Sequence, residues 1–267
     1  MKTLLLCGGR GIYDYESHVR ISKGMLMLGD RPILWHIMKT FSSYSHNDFI
    51  LALGEGGQYI RNYFLGYVSQ LQDVEVTIAN GTMKALNQIP EENWIIKLVD
   101  TGRNAQTGSR IARCRRYIDN ETFLISYNDC LCNVNIPDLL AYHRAQGKTI
   151  TVTGVQPPSR FGTFFTDEVR VTGYSSATKL VGKGGFINGG FMVAEPSLFD
   201  YLTPYNECSL EKEVFSQLAQ EGQVAVYPHD GYWQAVDTER DMIVLNELYQ
   251  ANKRPWLPDA PALQGNV

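Results

Sequence analysis

The beginning of the chain constrains the fold most, because an apolar run leads directly into a cluster of glycines. The run covers residues 3–7 and is followed by Gly8, Gly9 and Gly11, with Lys23 further along. A buried strand that ends in glycines exposes backbone N–H groups at the carboxyl edge of a sheet, where phosphates bind in open α/β folds. A nearby lysine adds positive charge for those phosphates. The pattern therefore predicts a nucleotide-binding edge.

Two well-known phosphate-binding signatures do not describe this loop. No Gly-Lys-Ser/Thr sequence closes it, so it is not a Walker A motif, and Asp14 stands where a dinucleotide fingerprint has its third glycine. Glycines after a strand also form simple tight turns. At this point both interpretations, phosphate loop and plain turn, stay open.

Composition limits the classes of protein to consider. A chain of 267 residues fits one large domain, or a core domain with an elaboration, and can bury a substantial core without disulfides. The net charge of −4 predicts no general attraction to nucleic acid or to an anionic membrane. The five cysteines are odd in number and lack paired metal-ligand spacing, which favours reduced thiols over a zinc site. The apolar start is too short for a signal peptide and no run reaches membrane-spanning length, so we expect a soluble, cytoplasmic protein.

Apolar runs alternate with helical stripes over the first 155 residues. Strands are predicted around residues 3–7, 49–53, 74–79, 94–99, 122–127 and 149–155, and helices around 33–41, 59–64, 107–117 and 136–146. Such alternation predicts an α/β fold with a mostly parallel, Rossmann-like sheet and helices on both faces.

The pattern changes after two consecutive prolines at 157–158. Short strands are predicted at 164–165, 168–172, 190–194 and 224–227, and helices at 211–221 and 240–249. A glycine-rich stretch covers 182–190. The tail 255–267 is rich in Pro, Ala and Gly, and we expect it on the surface or at an oligomer contact.

Two carboxylates are candidates for metal chemistry. Asp129 follows the most strand-like run of the chain, and Asp237 precedes the last predicted helix. Mg²⁺ in proteins is usually bound by one or two carboxylates together with substrate phosphates. Asp129 also fits an Asx turn, and Asp237 fits an N-terminal helix cap. The spacing alone leaves both alternatives open for each residue.

A second group of polar residues lies around the glycine-rich stretch. Lys179 precedes it, and Asn188 and Gly189 stand before a predicted strand. Basic and amide groups on such a loop suit a phosphorylated small molecule. Taken singly, Lys179 also fits a solvated surface lysine.

The order of these motifs resembles that of sugar-1-phosphate nucleotidylyltransferases, and most closely their cytidylyltransferase branch. The resemblance extends from residue 1 to about residue 256. It is carried by segments 8–11, 22–23, 29–39, 98–102, 107–110, 157–162, 187–191 and 232–238.

The resemblance implies one nucleotidyltransferase domain over residues 1–256, of the nucleotide-diphospho-sugar transferase fold. Within this domain, the nucleotide-binding part would cover about 1–155 and the small acceptor-binding part about 156–238. Residues 257–267 would form a C-terminal tail outside the domain. The implied reaction transfers CMP from CTP to a phosphorylated acceptor and releases pyrophosphate, with Mg²⁺ as cofactor. The acceptor would be a sugar 1-phosphate such as glucose 1-phosphate, or another phosphorylated polyol or phosphonate. A homo-oligomer is also implied.

The resemblance further implies roles for individual residues. Lys23 and Asp129 would be catalytic, and Asp129 and Asp237 would hold Mg²⁺. Lys179, Asn188 and Gly189 would bind the acceptor. The implied nucleotide-binding residues are Leu6, Gly8, Gly9, Arg10, Gly11, Lys23, Thr107, Arg110 and Asp129.

The chain departs from the family pattern at two informative positions. Ile12 and Tyr13 replace a Thr-Arg pair whose arginine clamps the triphosphate, and losing such a donor costs roughly 3–4 kcal/mol. Thr178 replaces a glutamate that binds sugar hydroxyls in the family, so the identity of the acceptor stays open. The competing hypothesis is a nucleotide-binding paralogue without turnover, acting as a sensor or oligomer partner. A glycosyltransferase of similar build is disfavoured because residues 128–130 do not form an Asp-x-Asp motif.

Overall fold

The fold is built on strands that alternate with helices. The computed structural model describes residues 1–9, 11–14, 19–67, 69, 73–86, 92–156, 163–167, 170–175 and 185–257. The strands are β1 (Lys2–Cys7), β2 (Ile12–Asp14), β3 (Val19–Ile21), β4 (Met27–Leu28), β5 (Arg31–Pro32), β6 (Asp48–Leu53), β7 (Val74–Thr77), β8 (Thr82–Ala85), β9 (Ile95–Asp100), β10 (Phe123–Tyr127), β11 (Cys130–Cys132), β12 (Ile150–Val155), β13 (Thr163–Asp167), β14 (Arg170–Ser175), β15 (Ile187–Ala194), β16 (Val224–His229) and β17 (Trp233–Ala235). The α-helices are α1 (Ile33–Ser42), α2 (Gly57–Leu65), α3 (Thr107–Cys114), α4 (Ile136–Gln146), α5 (Phe215–Gln220) and α6 (Glu239–Gln250).

Seven strands form the central sheet in the order β16-β12-β15-β10-β1-β6-β9. Strand β1 pairs in parallel with β10 and β6, β6 pairs in parallel with β9, and β12 pairs in parallel with β16. Strand β15 runs antiparallel to both of its neighbours, β10 and β12. The predicted mostly parallel sheet is therefore confirmed, with one reversed strand near its middle.

The sheet is apolar on both faces, as β1 illustrates. Because successive side chains of a strand point to opposite faces, Leu5 and Cys7 join one buried cluster while Leu4 and Leu6 join the other. The first cluster packs against α1, α4 and α6. The second packs against α3, α5 and the 3₁₀ helix Pro196–Tyr201. Helices thus cover both faces, as the alternation of the sequence predicts.

The helix ends follow local signals. Helix α1 begins after Pro32, whose extended backbone forms the N-cap. The side chain of Asn135 caps α4 by accepting a hydrogen bond from the N–H of Asp138, and Gly147 ends that helix in the left-handed region (φ +59°). Thr238 caps α6 in a capping box with Asp241.

Two segments differ from the sequence prediction. The strand predicted at 74–79 exists as β7, but it pairs antiparallel with β8 in a separate hairpin instead of joining the central sheet. The helix predicted at 211–221 begins as a π-helix, Leu210–Val214, and only then continues as α5. Both differences arise because the sequence pattern shows that an element exists but not which partner or which helical geometry it has.

The five cysteines are free and buried. Within the described ranges, no helix is long and apolar enough to cross a bilayer. The predicted tail lies largely outside the described residues, which end at 257.

Candidate active site

The glycine loop after β1 lies at the carboxyl edge of the sheet and needs glycine for steric reasons. At Gly11 the backbone is left-handed (φ +59°), and a Cβ there would lie 2.4 Å from the carbonyl oxygen of Ile21. At Gly8 a Cβ would lie 2.0 Å from Cζ of Arg110. At positions 8 and 11 the loop can therefore pass closely by its neighbours only without a side chain.

Lys23 connects the two carboxylates that the sequence singled out. Its Nζ lies 3.2 Å from Oδ2 of Asp129 and 2.8 Å from Oδ1 of Asp237. The three side chains are 27%, 32% and 53% exposed, respectively. The structure thus brings together three predicted residues that are far apart in the sequence.

Local pairing of two short strands brings the carboxylates together. Asp129 lies between β10 and β11, and Asp237 follows β17. Strands β11 and β17 pair antiparallel with Cys130 opposite Ala235, and the N–H of Val236 donates to the carbonyl oxygen of Asp129 at 2.8 Å. The capping side chain of α6 is that of Thr238, not of Asp237, and the metal role of Asp237 stays a prediction.

The surroundings shift the pKa values of both Asp129 and Lys23. Burial raises the pKa of Asp129, and Lys23 counteracts this only in part while Asp237 adds to it. Burial lowers the pKa of Lys23, but its hydrogen bonds and charge interactions with Asp237 and Asp129 outweigh burial and raise that pKa above its usual value. Two carboxylates contact the same ammonium group, and their oxygens are ligands of the kind that a divalent cation takes.

These residues fit a magnesium ion that arrives with a nucleotide. No group of three or more His, Cys, Asp or Glu side chains suited to a metal is found within the described residues. A cation bound by Asp129 and Asp237 would therefore take its remaining ligands from water and phosphate oxygens, which is the usual arrangement for Mg²⁺.

A cavity of about 290 Å³ adjoins the glycine loop and Lys23. It is lined by Gly8, Gly9, Gly11, Ser22, Lys23, Asn128 and Asp129. The amide of Asn128 donates to Oγ of Ser22 at 2.7 Å, which ties the lysine segment to the end of β10. The cavity therefore unites the loop, the lysine and one carboxylate in one concave surface.

Asn188 and Gly189 lie at the same edge of the sheet, because the antiparallel β15 begins where the parallel strands end. The carbonyl oxygen of Gly189 accepts a hydrogen bond from Nε1 of Trp233 at 2.8 Å. Nδ2 of Asn188 donates to the hydroxyl of Tyr127 at 3.0 Å. Tyr127 was not predicted, although it directly precedes residues 128–129 and so had a positional signal.

Other predicted residues take supporting positions. The Arg110 side chain is 2% exposed and donates hydrogen bonds to the carbonyl oxygens of Leu53, Gly102 and Arg103 and to the hydroxyl of Thr101. Burial lowers its pKa. It lies beneath the glycine loop and holds the ends of β6 and β9 together. Its predicted contact with a nucleotide stays a prediction.

Thr107, at the start of α3, is engaged with Glu211. Its Oγ1 donates to Oε2 of Glu211 at 2.6 Å and accepts from the N–H of Leu210 at 2.9 Å. Leu6 is buried in β1, so its side chain belongs to the core. The predicted residues Arg10 and Lys179 lie outside the described residues.

Known proteins resemble this chain over almost its whole length. The model of the nucleotidyl transferase family matches residues 2–252. The chain is 38% identical to a probable glucose-1-phosphate cytidylyltransferase of Bacillus subtilis over 96% of this chain and 99% of that one. It is 37% identical to a glucose-1-phosphate cytidylyltransferase of Salmonella typhi over 96% of this chain and 98% of that one.

Solved structures share the fold at low sequence identity. HddC from Yersinia pseudotuberculosis superposes with a TM-score of 0.64 at 18% identity, covering 93% of this chain and 99% of that one. A UDP-glucose pyrophosphorylase complexed with UDP-glucose gives a TM-score of 0.63 at 14% identity, covering 94% and 99%. The predicted fold type and family resemblance are thereby confirmed. The chain belongs to the nucleotidyl transferase family.

Proposed function

We propose that the protein transfers CMP from CTP to a sugar 1-phosphate, with glucose 1-phosphate as the first candidate acceptor. The observation that carries the proposal is the convergence of Lys23, Asp129 and Asp237 beside the glycine loop. The relatives named as glucose-1-phosphate cytidylyltransferases, which match almost the whole chain, support the choice of CTP and of glucose 1-phosphate.

In the proposed reaction, a phosphate oxygen of the acceptor attacks the α-phosphorus of CTP. A new phosphorus–oxygen bond forms, the bond to the bridging oxygen of the β-phosphate breaks, and pyrophosphate leaves. A magnesium ion, when bound, would neutralise phosphate charge at the reacting centre. Lys23 would supply further positive charge, and the glycine loop would donate backbone N–H groups to phosphate oxygens.

The proposal divides the domain 1–256 between the two substrates. Residues up to about 155 would bind the nucleotide, and residues from about 156 to 238 would bind the acceptor. In the second part, Asn188 and Gly189 would contact the sugar and Lys179 its phosphate. We further propose a cytoplasmic homo-oligomer with Mg²⁺ as its cofactor, consistent with the family resemblance.

A second candidate function follows from Tyr13. A tyrosine supplies no positive charge where the family pattern has an arginine, so a nucleotide-binding protein without turnover is the alternative. Tyr13→Arg separates the two functions. A large gain in turnover supports loss of catalysis in the natural chain, whereas a decrease indicates that Tyr13 suits a different acceptor.

The decisive experiment measures pyrophosphate release with Mg²⁺ for CTP, UTP, dTTP, ATP and GTP, each with a panel of sugar 1-phosphates. We expect release with CTP and one acceptor. Asp129→Asn should abolish release while CTP binding largely remains. Asp119→Asn is a matched control, because Asp119 is an exposed partner of Lys2 at the opposite edge of the sheet. If no pair of substrates reacts while CTP binds, the non-catalytic alternative gains support.

A further inference from the structure

A chain of hydrogen bonds connects Asn188 to Glu211 through Tyr127. Nδ2 of Asn188 donates to the Tyr127 hydroxyl at 3.0 Å, and that hydroxyl donates to Oε1 of Glu211 at 2.5 Å. Tyr127 ends β10 and Asn188 lies near the start of β15, so both are at the sheet edge that carries the candidate site. Glu211 is not among the site residues predicted from the sequence.

The carboxylate of Glu211 determines the direction of these hydrogen bonds. An ionised carboxylate accepts hydrogen bonds but donates none. Its Oε2 accepts from Thr107 at 2.6 Å and from Ser209 at 3.2 Å, so hydroxyl groups surround it. Tyr127 must therefore donate to Glu211, which leaves the tyrosine oxygen as the acceptor for Asn188. Burial, together with Glu211, raises the pKa of Tyr127 and keeps that hydroxyl protonated.

The side-chain amide of Asn188 is thereby fixed in one of its two possible orientations. Its Nδ2 is directed to Tyr127, and its Oδ1 accepts from the N–H of Gly190 at 2.9 Å. Each amide has two N–H donors and an oxygen with two lone pairs. One donor and one acceptor position therefore remain, and a sugar hydroxyl, which both donates and accepts, complements that pair.

The π-helix places Glu211 where it can make these contacts. Ser209 caps this segment, Leu210–Val214, and Thr107 accepts from the N–H of Leu210. Single π turns are rare in proteins, and those that occur are often found at functional sites. The contacts of Glu211 thus join the start of α3, the end of β10 and, through Tyr127, the start of β15.

We propose that Glu211 is a positioning residue that acts through Tyr127 to orient the amide of Asn188 for a hydroxyl group of the sugar-phosphate acceptor. The proposal rests on the proposed function and deepens it, since it assigns a determinant of acceptor specificity. Residue 178 is threonine where the family pattern has glutamate, and in this proposal a different carboxylate, that of Glu211, contributes to acceptor recognition by orienting Asn188.

Glu211→Gln tests the proposal with minimal change of shape. A glutamine amide can donate to Tyr127, which releases the tyrosine hydroxyl to donate to Oδ1 of Asn188 and so allows the amide to turn over. We expect KM for the sugar phosphate to rise about tenfold or more, with KM for CTP unchanged and kcat changed less. Glu221→Gln is the matched control, because Glu221 accepts from the Tyr201 hydroxyl at 2.6 Å in an exposed Tyr–Glu pair elsewhere in the fold.

Deoxy acceptors separate positioning from a general structural effect. With the acceptor that lacks the hydroxyl bound by Asn188, wild type and Glu211→Gln should have equal kcat/KM. Asn188→Ala should remove the effect of Glu211→Gln, so that the double variant is no worse than Asn188→Ala alone. An equal loss with every deoxy acceptor, or a matching rise in KM for CTP, would overturn the proposal.

A readout without turnover keeps this inference distinct from the proposed function. The side-chain amide of Asn188, assigned in ¹H–¹⁵N spectra with Asn188→Ala, should shift and exchange faster with solvent in Glu211→Gln but not in Glu221→Gln. An unchanged amide signal in Glu211→Gln contradicts the positioning role whether or not the protein is active. If the wild type turns over no substrate pair yet the amide responds, the proposed reaction fails while the orientation of Asn188 by Glu211 stands.

Discussion

The backbone N–H of Val236 donates a hydrogen bond to the carbonyl oxygen of Asp129, at 2.8 Å. This bond continues the short ladder between β11 and β17 and places Asp237 beside Asp129. Because the contact is made by backbone atoms, it fixes the spacing of the two segments independently of their side chains. Lys23 can then contact both carboxylates, and the proposed nucleotidyl transfer would use this group.

Replacement of Lys23 by methionine should greatly reduce turnover. The change removes the ammonium group that contacts both Asp129 and Asp237. Loss of a charge-stabilising donor at a reacting centre typically lowers the rate by about 10²–10³-fold. Pyrophosphate release under saturating substrates measures the effect.

Lys97→Met provides the control, because Lys97 forms an ion pair of similar exposure with Asp48 at 2.7 Å, away from the site. The control should retain wild-type turnover. Equal rates for Lys23→Met and Lys97→Met would remove Lys23 from the proposed machinery.

Gly11→Ala should weaken nucleotide binding, and Gly81→Ala should not. Both glycines have left-handed backbone conformations, at φ +59° and +68°, so alanine introduces backbone strain of about 1–2 kcal/mol at either site. A Cβ at Gly11 would also lie 2.4 Å from the carbonyl oxygen of Ile21, whereas nothing lies within 4 Å of a Cβ at Gly81.

Calorimetric titration with CTP and thermal unfolding distinguish these two effects. We expect both variants to unfold at lower temperature and only Gly11→Ala to lose CTP affinity. Similar affinity in the two variants would show that the loop does not need its close approach to Ile21 for binding.

Stability should fall as the pH falls from about 6.5 to about 4, and His36 should be one cause. Burial lowers the pKa of His36 to about 4, although the hydrogen bond to the carbonyl oxygen of Leu28 opposes the shift. The unfolded chain binds this proton more tightly than the folded protein does. The contribution of His36 to stability is therefore complete above pH 6.5 and is lost as the pH decreases through this window. The difference between the pKa of His36 in the unfolded and in the folded protein corresponds to about 3 kcal/mol of unfolding free energy.

Urea unfolding of wild type and His36→Gln at pH 7 and pH 4.5 measures this contribution. Glutamine keeps a donor for Leu28 and does not titrate, so its free energy of unfolding should decrease less between the two pH values. Parallel decreases in both proteins would assign the acid sensitivity to other groups.

The central sheet could be predicted from the sequence because a strand buried on both faces is a continuous apolar run, as in residues 3–7 and 123–127. The pairing of residues 74–77 could not be predicted from the sequence. Val74 and Val76 alternate with polar residues as in many strands, but this pattern does not identify the pairing partner, and β8 supplies it in a hairpin. Partner choice depends on contacts that one segment does not contain.

The candidate site shows the same limit. Asp129 could be predicted because it follows an obvious strand at the edge where ligands bind. Its approach to Asp237 depends on β11 and β17, which have three residues each and no recognisable periodicity. The sequence predicts a helix that begins at Glu211, but it gives no signal for the contacts of this side chain with Thr107 and Tyr127, which are distant in the chain.

Asp129→Asn should stabilise the protein while it abolishes turnover. Burial raises the pKa of Asp129, so the folded protein holds this proton more tightly than the unfolded chain. Stability therefore falls as the pH rises through that pKa, and the ionised carboxylate is destabilising at neutral pH. Asparagine leaves Lys23 paired one to one with Asp237.

We expect thermal unfolding of Asp129→Asn at pH 8 to occur about 2–4 °C above wild type, for a gain of about 1 kcal/mol, and the difference to shrink toward pH 4. Asp119→Asn, which removes an exposed partner of Lys2, should give no such gain. A lower unfolding temperature for Asp129→Asn would mean that the ion pair with Lys23 outweighs the burial of Asp129. The expected result would show that the ionised carboxylate of Asp129 lowers stability, as is common for residues that are retained for function.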